Sequence, residues 1–137
     1  MAAAMKTLDI LETTDALANM EANGRTLQEG LTVMVAEAGL EKRIRCTGRP
    51  QWSLLKFTDE SGAEDILLKN LFQQEVTKRG ILVLTTHNMT AVHDSTVVKR
   101  TLEIYAQALK TLALWLRDPN PARFLQGEMS QPVFRVR

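Results

Sequence analysis

Both histidines of the chain, His87 and His93, fall in one polar stretch that follows a short apolar run. Histidine exchanges protons near neutral pH and is also a common metal ligand. The two are six residues apart, with no cysteine beside them and only Asp94 nearby, which is a poor pattern for a metal site. His87 and Asn88 are the better candidates for a binding role, although an exposed polar turn explains them equally well. We interpret His93 as a structural residue that bonds to backbone or packs at the start of a helix.

Other side chains that could do chemistry give weaker signals. Cys46 lies in a predicted strand, where a cysteine is more often a small core residue than a nucleophile. Ser53 and Thr86 have no nucleophile motif around them, and no glycine-rich phosphate loop occurs. Three arginines could bind an anion, but a solvated strand face explains them better: Arg43, Arg45 and Arg49. The side chains alone therefore predict a polar loop after a buried strand and no specific reaction.

The composition is that of an ordinary globular protein. The chain has 137 residues, enough for one domain with a core, of which 45% are apolar and 24% charged. A net charge of +1 gives no reason to expect a nucleic acid or a membrane as partner. The single cysteine rules out an internal disulfide, no apolar run approaches a membrane span, and the first residues do not resemble a signal peptide. We therefore expect a cytoplasmic protein.

The first part of the sequence predicts two helices. Good helix formers fill Met1 to Glu12, with apolar residues at steps of three. A longer helix follows, capped near Asp15 and ending at Gly39. Its apolar stripe has steps of three and four: Leu17, Met20, Gly24, Leu27, Leu31 and Met34. The absence of a side chain at Gly24 would let a neighbouring backbone come close to this stripe.

The middle of the sequence predicts a hairpin, a helix and a buried strand. Arg43–Thr47 and Gln51–Thr58 read as strands around a turn at Gly48–Pro50. A helix spans about Ala63 to Arg79, with basic residues in its last turn that complement the helix dipole. Ile81 to Leu84 is continuously apolar, so we expect a central strand that is buried on both faces.

The last part predicts one long helix. The loop Thr85–Asp94 leads to a helix from about Ser95 to Leu116. Its apolar stripe again has steps of three and four: Val98, Leu102, Tyr105, Leu109, Leu112 and Leu116. The alternating end of the chain, Pro132–Arg137, could form an edge strand. The order of elements predicts an α+β fold, with a small antiparallel or mixed sheet and helices packed on one side.

Several stretches resemble motifs of one enzyme family. THNMTAVH is similar to the family's H-N-x-S-x-A-H loop, and FQQEVTKRGIL is similar to its F-x-x-x-x-x-x-R-G-I/V-L segment. The matching stretches occur in order along the chain: Ala2–Leu8, Gly24–Leu31, Phe72–Leu82, Thr86–His93 and Gln131–Phe134. Over nearly its whole length the chain resembles the C-terminal part of a class-III, pyridoxal-phosphate-dependent aminotransferase of the glutamate-1-semialdehyde aminotransferase-like branch.

The resemblance implies a fold and a function. The fold is the small C-terminal domain of these fold-type I enzymes, α+β with a small, largely antiparallel sheet covered by helices. Residues 1–137 would form that single domain, and residues 1–39 would be the helical lead-in that joins a missing large domain, its partner. The whole enzyme would be a homodimer that transfers amino groups with pyridoxal phosphate.

The resemblance also implies which residues contact the substrate. In the complete enzyme the loop after the central strand faces the substrate, so His87, Asn88 and, as a weaker candidate, Thr90 are the expected contacts. Arg79 could pair with a carboxylate, but its position at a helix end already explains it. His87-Asn88-Met89 stands where the aminomutase of this branch has F-E-A, which favours an aminotransferase-like relative.

The departures from the family carry a further prediction. The lysine that holds pyridoxal phosphate, the aspartate at its ring nitrogen and the threonine at its phosphate lie upstream in the family and have no match here. We therefore expect this segment alone to bind no cofactor and not to be catalytic. The apolar face of the first helix would be exposed and would favour self-association. The alternative function is a stand-alone, non-catalytic α+β dimerisation or regulatory module.

Overall fold

Four α-helices make up about half of the molecule. The structure is a computed structural model of the chain, and it describes residues 1–130, so the predicted edge strand Pro132–Arg137 lies outside the described residues. The helices are α1 (Ala2–Thr13), α2 (Ala16–Glu37), α3 (Ile66–Lys78) and α4 (Ser95–Trp115), and a short 3₁₀ helix (Pro121–Phe124) follows. None of the helices within residues 1–130 is long and apolar enough to cross a membrane.

Aspartate caps fix the starts of the two helices that flank the predicted site. The carboxylate of Asp94 accepts a hydrogen bond from the backbone N–H of Val97 at 2.9 Å, which confirms the predicted start of α4. The carboxylate of Asp65 accepts from the N–H of Leu68 at 2.8 Å, so α3 begins three residues later than the predicted Ala63. Asp65 also forms an ion pair with Arg43 at 2.7 Å, which holds the start of α3 against the first strand.

Three strands form one antiparallel sheet in the order β1 (Ile44–Arg49), β2 (Trp52–Phe57) and β3 (Thr86–Asn88). The predicted α+β class, with a small antiparallel sheet and helices on one side, is confirmed. The predicted turn is displaced, because Arg49 pairs with Trp52 and the hairpin turns at residues 50–51.

The predicted central strand Ile81–Leu84 is wrong. Leu82 and Leu84 are 85% and 72% exposed, and the segment has no strand structure. The side-chain amide of Gln73 on α3 donates hydrogen bonds to the carbonyls of residues 83 and 84, which ties this segment to the helix. Pairing with β2 begins only where the N–H of Leu55 donates to the carbonyl of Thr85 at 2.7 Å. The third strand therefore begins at Thr86 and includes His87.

The core lies between α2, α3, α4 and the inner face of the sheet. Its fully buried side chains include Leu31, Ile44, Leu68, Leu71, Phe72, Tyr105, Leu109 and Leu112. The predicted stripe of α2 holds from Gly24 onward, whereas Leu17 is 52% exposed. A Cβ atom at Gly24 would lie 2.0 Å from the carbonyl oxygen of Pro50, which confirms the close backbone approach predicted there. No residue of α1 is buried.

Candidate functional site

The imidazole of His87 lies in a row of three buried polar side chains. Its Nδ1 is 2.9 Å from the hydroxyl oxygen of Ser53, and its Nε2 is 2.8 Å from the hydroxyl oxygen of Tyr105. A neutral imidazole has one N–H donor and one acceptor nitrogen, and a hydroxyl can serve as either partner. Both ring nitrogens of His87 are therefore satisfied from within the protein.

The sheet register and the α4 stripe bring these three residues together. Ser53 and His87 face each other across β2 and β3, and Ser53 shares the inner face of β2 with Leu55 and Phe57. Side chains alternate across a strand, so this serine is directed toward the helices rather than toward solvent. Tyr105 lies on the buried stripe of α4, and its ring centroid is 5.7 Å from that of His87.

Burial keeps this cluster uncharged. It lowers the pKa of His87 to about 4, so the imidazole is neutral at physiological pH. Burial also raises the pKa of the Tyr105 hydroxyl, and the neighbouring Cys46 adds to that rise. The pKa of the Cys46 thiol is raised by burial as well, although a hydrogen bond with Ser53 partly opposes the effect. His87 stays neutral and Tyr105 and Cys46 keep their protons near neutral pH, which suits a structural network better than proton transfer.

A cavity of about 140 Å³ lies beside His87, between β3 and α4. Apolar side chains form most of its wall: Leu27, Ile81, Val83, Met89, Val97 and Val98. The other lining residues are polar or aromatic: Thr86, His87, Asn88, His93, Thr101 and Tyr105. No aspartate, glutamate, lysine or arginine from residues 1–130 lines it. This is the wall expected for a small apolar group with few hydrogen bonds.

The structure places the three predicted substrate contacts differently. His87 is 7% exposed and lines the cavity through its ring. Asn88 is exposed, lines the cavity as well, and pairs across the sheet with the exposed Trp52. Thr90 is exposed in the loop beyond β3 and is not a lining residue. The structure thus brings His87 and Asn88 to one cavity and leaves Thr90 outside its wall.

Thr90 instead holds the second histidine. Its backbone N–H donates a hydrogen bond to Nδ1 of His93 at 3.1 Å, and its hydroxyl lies 3.3 Å from the same nitrogen. This confirms the interpretation of His93 as a residue that bonds to backbone just before α4. His93 also lines the cavity, which the sequence analysis did not foresee.

Arg79 is engaged within its own helix. Its guanidinium donates to the carboxylate of Glu75 at 2.6 Å and to the Glu75 carbonyl at 2.8 Å. Burial raises the pKa of Glu75, but hydrogen bonds from Arg79 and Lys78 outweigh this and hold it below its usual value. This ion pair accounts for the position of Arg79 at the end of α3.

The cavity beside His87 does not fit pyridoxal phosphate. A site for this cofactor needs an amine to bond its aldehyde and donors or cations for its phosphate. The cavity lacks both a lysine and any other charged side chain among residues 1–130. Within the same residues, no three side chains of histidine, cysteine, aspartate or glutamate are grouped to hold a metal ion.

Sequence reasoning missed Ser53 and Tyr105 as the partners of His87. A signal for each was present. Ser53 alternates with Leu55 and Phe57 on the buried face of a strand, and Tyr105 interrupts an otherwise aliphatic stripe. A polar group on a buried face needs a hydrogen-bond partner. Which residues meet across the core depends on the register of β3, and the sequence analysis placed that strand several residues too early.

Comparison with known proteins gives matches among solved structures. The FumI protein of Sphingopyxis sp. MTA144, solved in its "PLP internal aldimine form", is 28% identical, with a TM-score of 0.74 over 91% of this chain. An omega-transaminase from Sphaerobacter thermophilus is 14% identical, with a TM-score of 0.61 over 69% of this chain, and shows the shared fold alone. No protein-family model and no curated protein sequence matches the chain.

This chain spans only part of these proteins. It covers 30% of the FumI chain and 24% of the omega-transaminase chain. The similarity to both therefore concerns one segment of a larger enzyme, and that segment has the small α+β fold described above. The chain is similar, over 91% of its length, to part of a PLP-containing protein.

Proposed function

We propose that this chain is the C-terminal small domain of a class-III, pyridoxal-phosphate-dependent aminotransferase, of the glutamate-1-semialdehyde aminotransferase-like branch. The observation that carries the proposal is the match to a PLP-containing protein over 91% of this chain at 28% identity. The order of the family-like motifs in the sequence supports it independently. In this proposal the whole enzyme is cytoplasmic and transfers an amino group, and this segment alone is inactive.

The cofactor is held by the preceding part of the enzyme. When bound there, pyridoxal phosphate supplies the electron sink that amino-group transfer needs. No lysine or other charged group within residues 1–130 lines the cavity. This supports a cofactor site in the preceding part of the enzyme. The small domain contributes a wall that closes over the substrate and keeps water away from the reaction.

We assign distinct roles to the proposed substrate contacts. Both nitrogens of His87 are used by Ser53 and Tyr105, so His87 contributes its ring surface and holds β3 in register. Asn88 follows it on the strand and is exposed. Its side-chain nitrogen donates to the Thr86 hydroxyl at 3.4 Å, and its side-chain oxygen can accept a hydrogen bond from the substrate. Thr90 acts more weakly, through the loop that it forms with His93.

The partner of this domain is the large domain, and α1 is the contact to it. Met5, Leu8 and Ile10 of α1 are 61%, 52% and 41% exposed, and no residue of this helix is buried. Apolar residues on a helix with no burial of its own need another surface. In the proposed enzyme, residues 1–39 join the two domains, and two such chains form a homodimer.

A second candidate is a stand-alone dimerisation or regulatory module. The same exposed face of α1 favours it, because a second copy could cover that face. This candidate needs no large domain and no cofactor. The two candidates differ in what precedes Met1 in the coding sequence.

The test is to read the coding sequence upstream of Met1 and to express the extended protein. We expect an in-frame domain that bears a lysine for pyridoxal phosphate, and an extended protein that transfers amino groups from an amine to a 2-oxo acid. Substitution of that lysine by alanine is the control, and it should abolish transfer. A stop codon or an unrelated sequence directly upstream would overturn the proposal in favour of the stand-alone module.

A further inference from the structure

We propose that the cavity between β3 and α4 binds an uncharged apolar group about the size of a benzene ring, and that His93 donates a hydrogen bond to an acceptor atom attached to it. The binding itself follows from the cavity. Only the assignment of this group to the substrate of an aminotransferase rests on the proposed function.

The volume and the wall define the chemical class of the ligand. An engineered protein cavity of about 150 Å³ with an apolar wall binds benzene, and this cavity has about 140 Å³. Burial of a charged group without a partner is strongly unfavourable. No charged side chain within residues 1–130 lines the cavity. A phenyl ring or a short alkyl chain therefore fits, whereas a carboxylate or an ammonium group does not.

His87 is not the polar anchor of this cavity. Its two nitrogens bond to Ser53 and Tyr105, and a ligand hydrogen bond would require the loss of one of these. The loss would leave a buried hydroxyl without a partner, which is unfavourable. His87 therefore presents a flat ring surface to the cavity, which suits contact with an apolar ligand.

His93 has the free hydrogen-bonding atom. A backbone N–H can only donate, so the bond from Thr90 at 3.1 Å requires that Nδ1 of His93 carry no proton. The proton of the neutral ring is then on Nε2, which becomes a donor. No hydrogen bond to this nitrogen occurs among the described residues 1–130. A carbonyl, ether or hydroxyl oxygen on the ligand is the matching acceptor.

Two probes that differ in one atom group test both parts of the proposal. Ethylbenzene and acetophenone have the same ring, but only acetophenone has a carbonyl acceptor. We would titrate each into the purified chain and follow the amide and methyl NMR signals. Both should bind saturably, with shifts that centre on Val83 and Val98, and acetophenone should bind several-fold more tightly.

Variants on α4 locate the binding. Val97 lines the cavity and is 43% exposed, so Val97→Trp should fill the space and weaken both probes at least tenfold. Leu114→Trp is the matched control, because Leu114 lies on the same helix, is 64% exposed and does not line the cavity. Its affinities should equal those of the wild type. Thr101→Leu is a second filling variant in case the tryptophan alters the fold.

A third variant isolates the hydrogen bond. In His93→Asn the side-chain oxygen can still accept from the N–H of Thr90, but the donor at the Nε2 position is lost. This variant should bind ethylbenzene with the wild-type affinity. Its affinity for acetophenone should fall to that for ethylbenzene. If the preference for acetophenone survives this change, His93 is not the donor.

The proposed cavity site would be overturned if neither probe bound saturably. It would also be overturned if Val97→Trp and Thr101→Leu left the binding of both probes unchanged. These measurements use the chain without cofactor, so their failure would leave the aminotransferase assignment standing. Conversely, an unrelated sequence upstream of Met1 would remove that assignment and leave the binding results intact.

Discussion

Helices α1 and α4 are both amphipathic, yet they relate to the rest of the molecule in opposite ways. Six residues of α4 are buried, among them Tyr105 and Leu109, and this helix forms one wall of the cavity. In α1 no residue is buried, although Met5 and Leu8 repeat the same apolar spacing. An isolated helix of about 12 residues is marginal in water. The comparison separates a helix that is packed into the core from a helix whose apolar side chains remain exposed.

The largest difference should appear when one leucine is shortened in each helix. Leu109 is fully buried, so Leu109→Ala should lower the free energy of unfolding by about 2–5 kcal/mol through lost contacts and a residual cavity. Leu8 is 52% exposed, and Leu8→Ala should change stability by less than about 0.5 kcal/mol. Urea denaturation of both variants measures this. Equal losses would mean that α1 packs as tightly as α4.

The pH dependence of stability should show whether His87 is buried and neutral in the folded protein. The pKa of His87 falls from 6.5 to about 4 on folding, so below pH 6.5 the unfolded state binds a proton that the folded state does not. Stability should be full above pH 6.5 and should fall as the pH decreases toward 4. The expected loss by pH 4.5 is about 2–3 kcal/mol.

Two carboxylates, Glu75 and Asp59, contribute to stability mainly at lower pH than His87 does. The pKa of Glu75 and that of Asp59 are held below their ordinary values of 4.5 and 3.8, so the stability that they contribute is lost mainly at lower pH. His87→Gln, which cannot titrate, is the matched control and should be insensitive between pH 6.5 and 4.5. A wild-type chain with flat stability across this range would show that His87 is not neutral and buried in the folded state.

Two glycines of α2 sharpen the comparison within one helix. A Cβ at Gly24 would meet the backbone of Pro50 at 2.0 Å, so Gly24→Ala should cost about 1–3 kcal/mol despite its better helix propensity. A Cβ at Gly30 would meet only the end of the Leu102 side chain, at 2.7 Å, which can move aside. Gly30→Ala should therefore be near neutral, because the gain in helix propensity of about 1 kcal/mol offsets the repacking. Thermal unfolding of the pair distinguishes the two sites.

The smallest effect should be self-association through α1. The exposed Met5 and Leu8 should make the isolated chain associate weakly as its concentration rises. The double variant Met5→Lys with Leu8→Lys should remain monomeric, and Lys99→Ala on the exposed face of α4 is the control that should associate like the wild type. Sedimentation velocity measures all three. A wild-type chain that stays monomeric at high concentration would contradict self-association through α1.

Periodicity was enough to predict the helices and the hairpin but not the third strand. Val98, Tyr105, Leu109 and Leu112 of the predicted α4 stripe are buried and Leu102 is half-buried, because one long amphipathic face leaves little choice of orientation. Ile81–Leu84 has a stronger apolar signal than Thr86–Asn88, yet the latter is the strand. Tertiary contacts decided this, since Gln73 binds the apolar segment and β2 pairs with the polar one.

The candidate site was predictable only in part for the same reason. His87 and Asn88 were identified as neighbours of a strand, and both line the cavity. Their environments differ because adjacent strand residues face opposite sides of the sheet. A one-residue shift in the pairing of β3 with β2 would reverse which of the two is buried. The role of His93 depends on a turn that brings the N–H of Thr90 to its ring, and no spacing rule predicts that contact.

The most direct test of the central claim is to locate the residue that binds the cofactor. The protein extended upstream of Met1 and the present chain alone would each be incubated with pyridoxal phosphate, reduced with borohydride and mapped by mass spectrometry. If this chain is the small domain of an aminotransferase, one lysine upstream of Met1 carries the label and the chain alone carries none in stoichiometric amount. A stoichiometric label on a lysine of this chain, such as Lys69, or an extended protein without any label, would contradict the account.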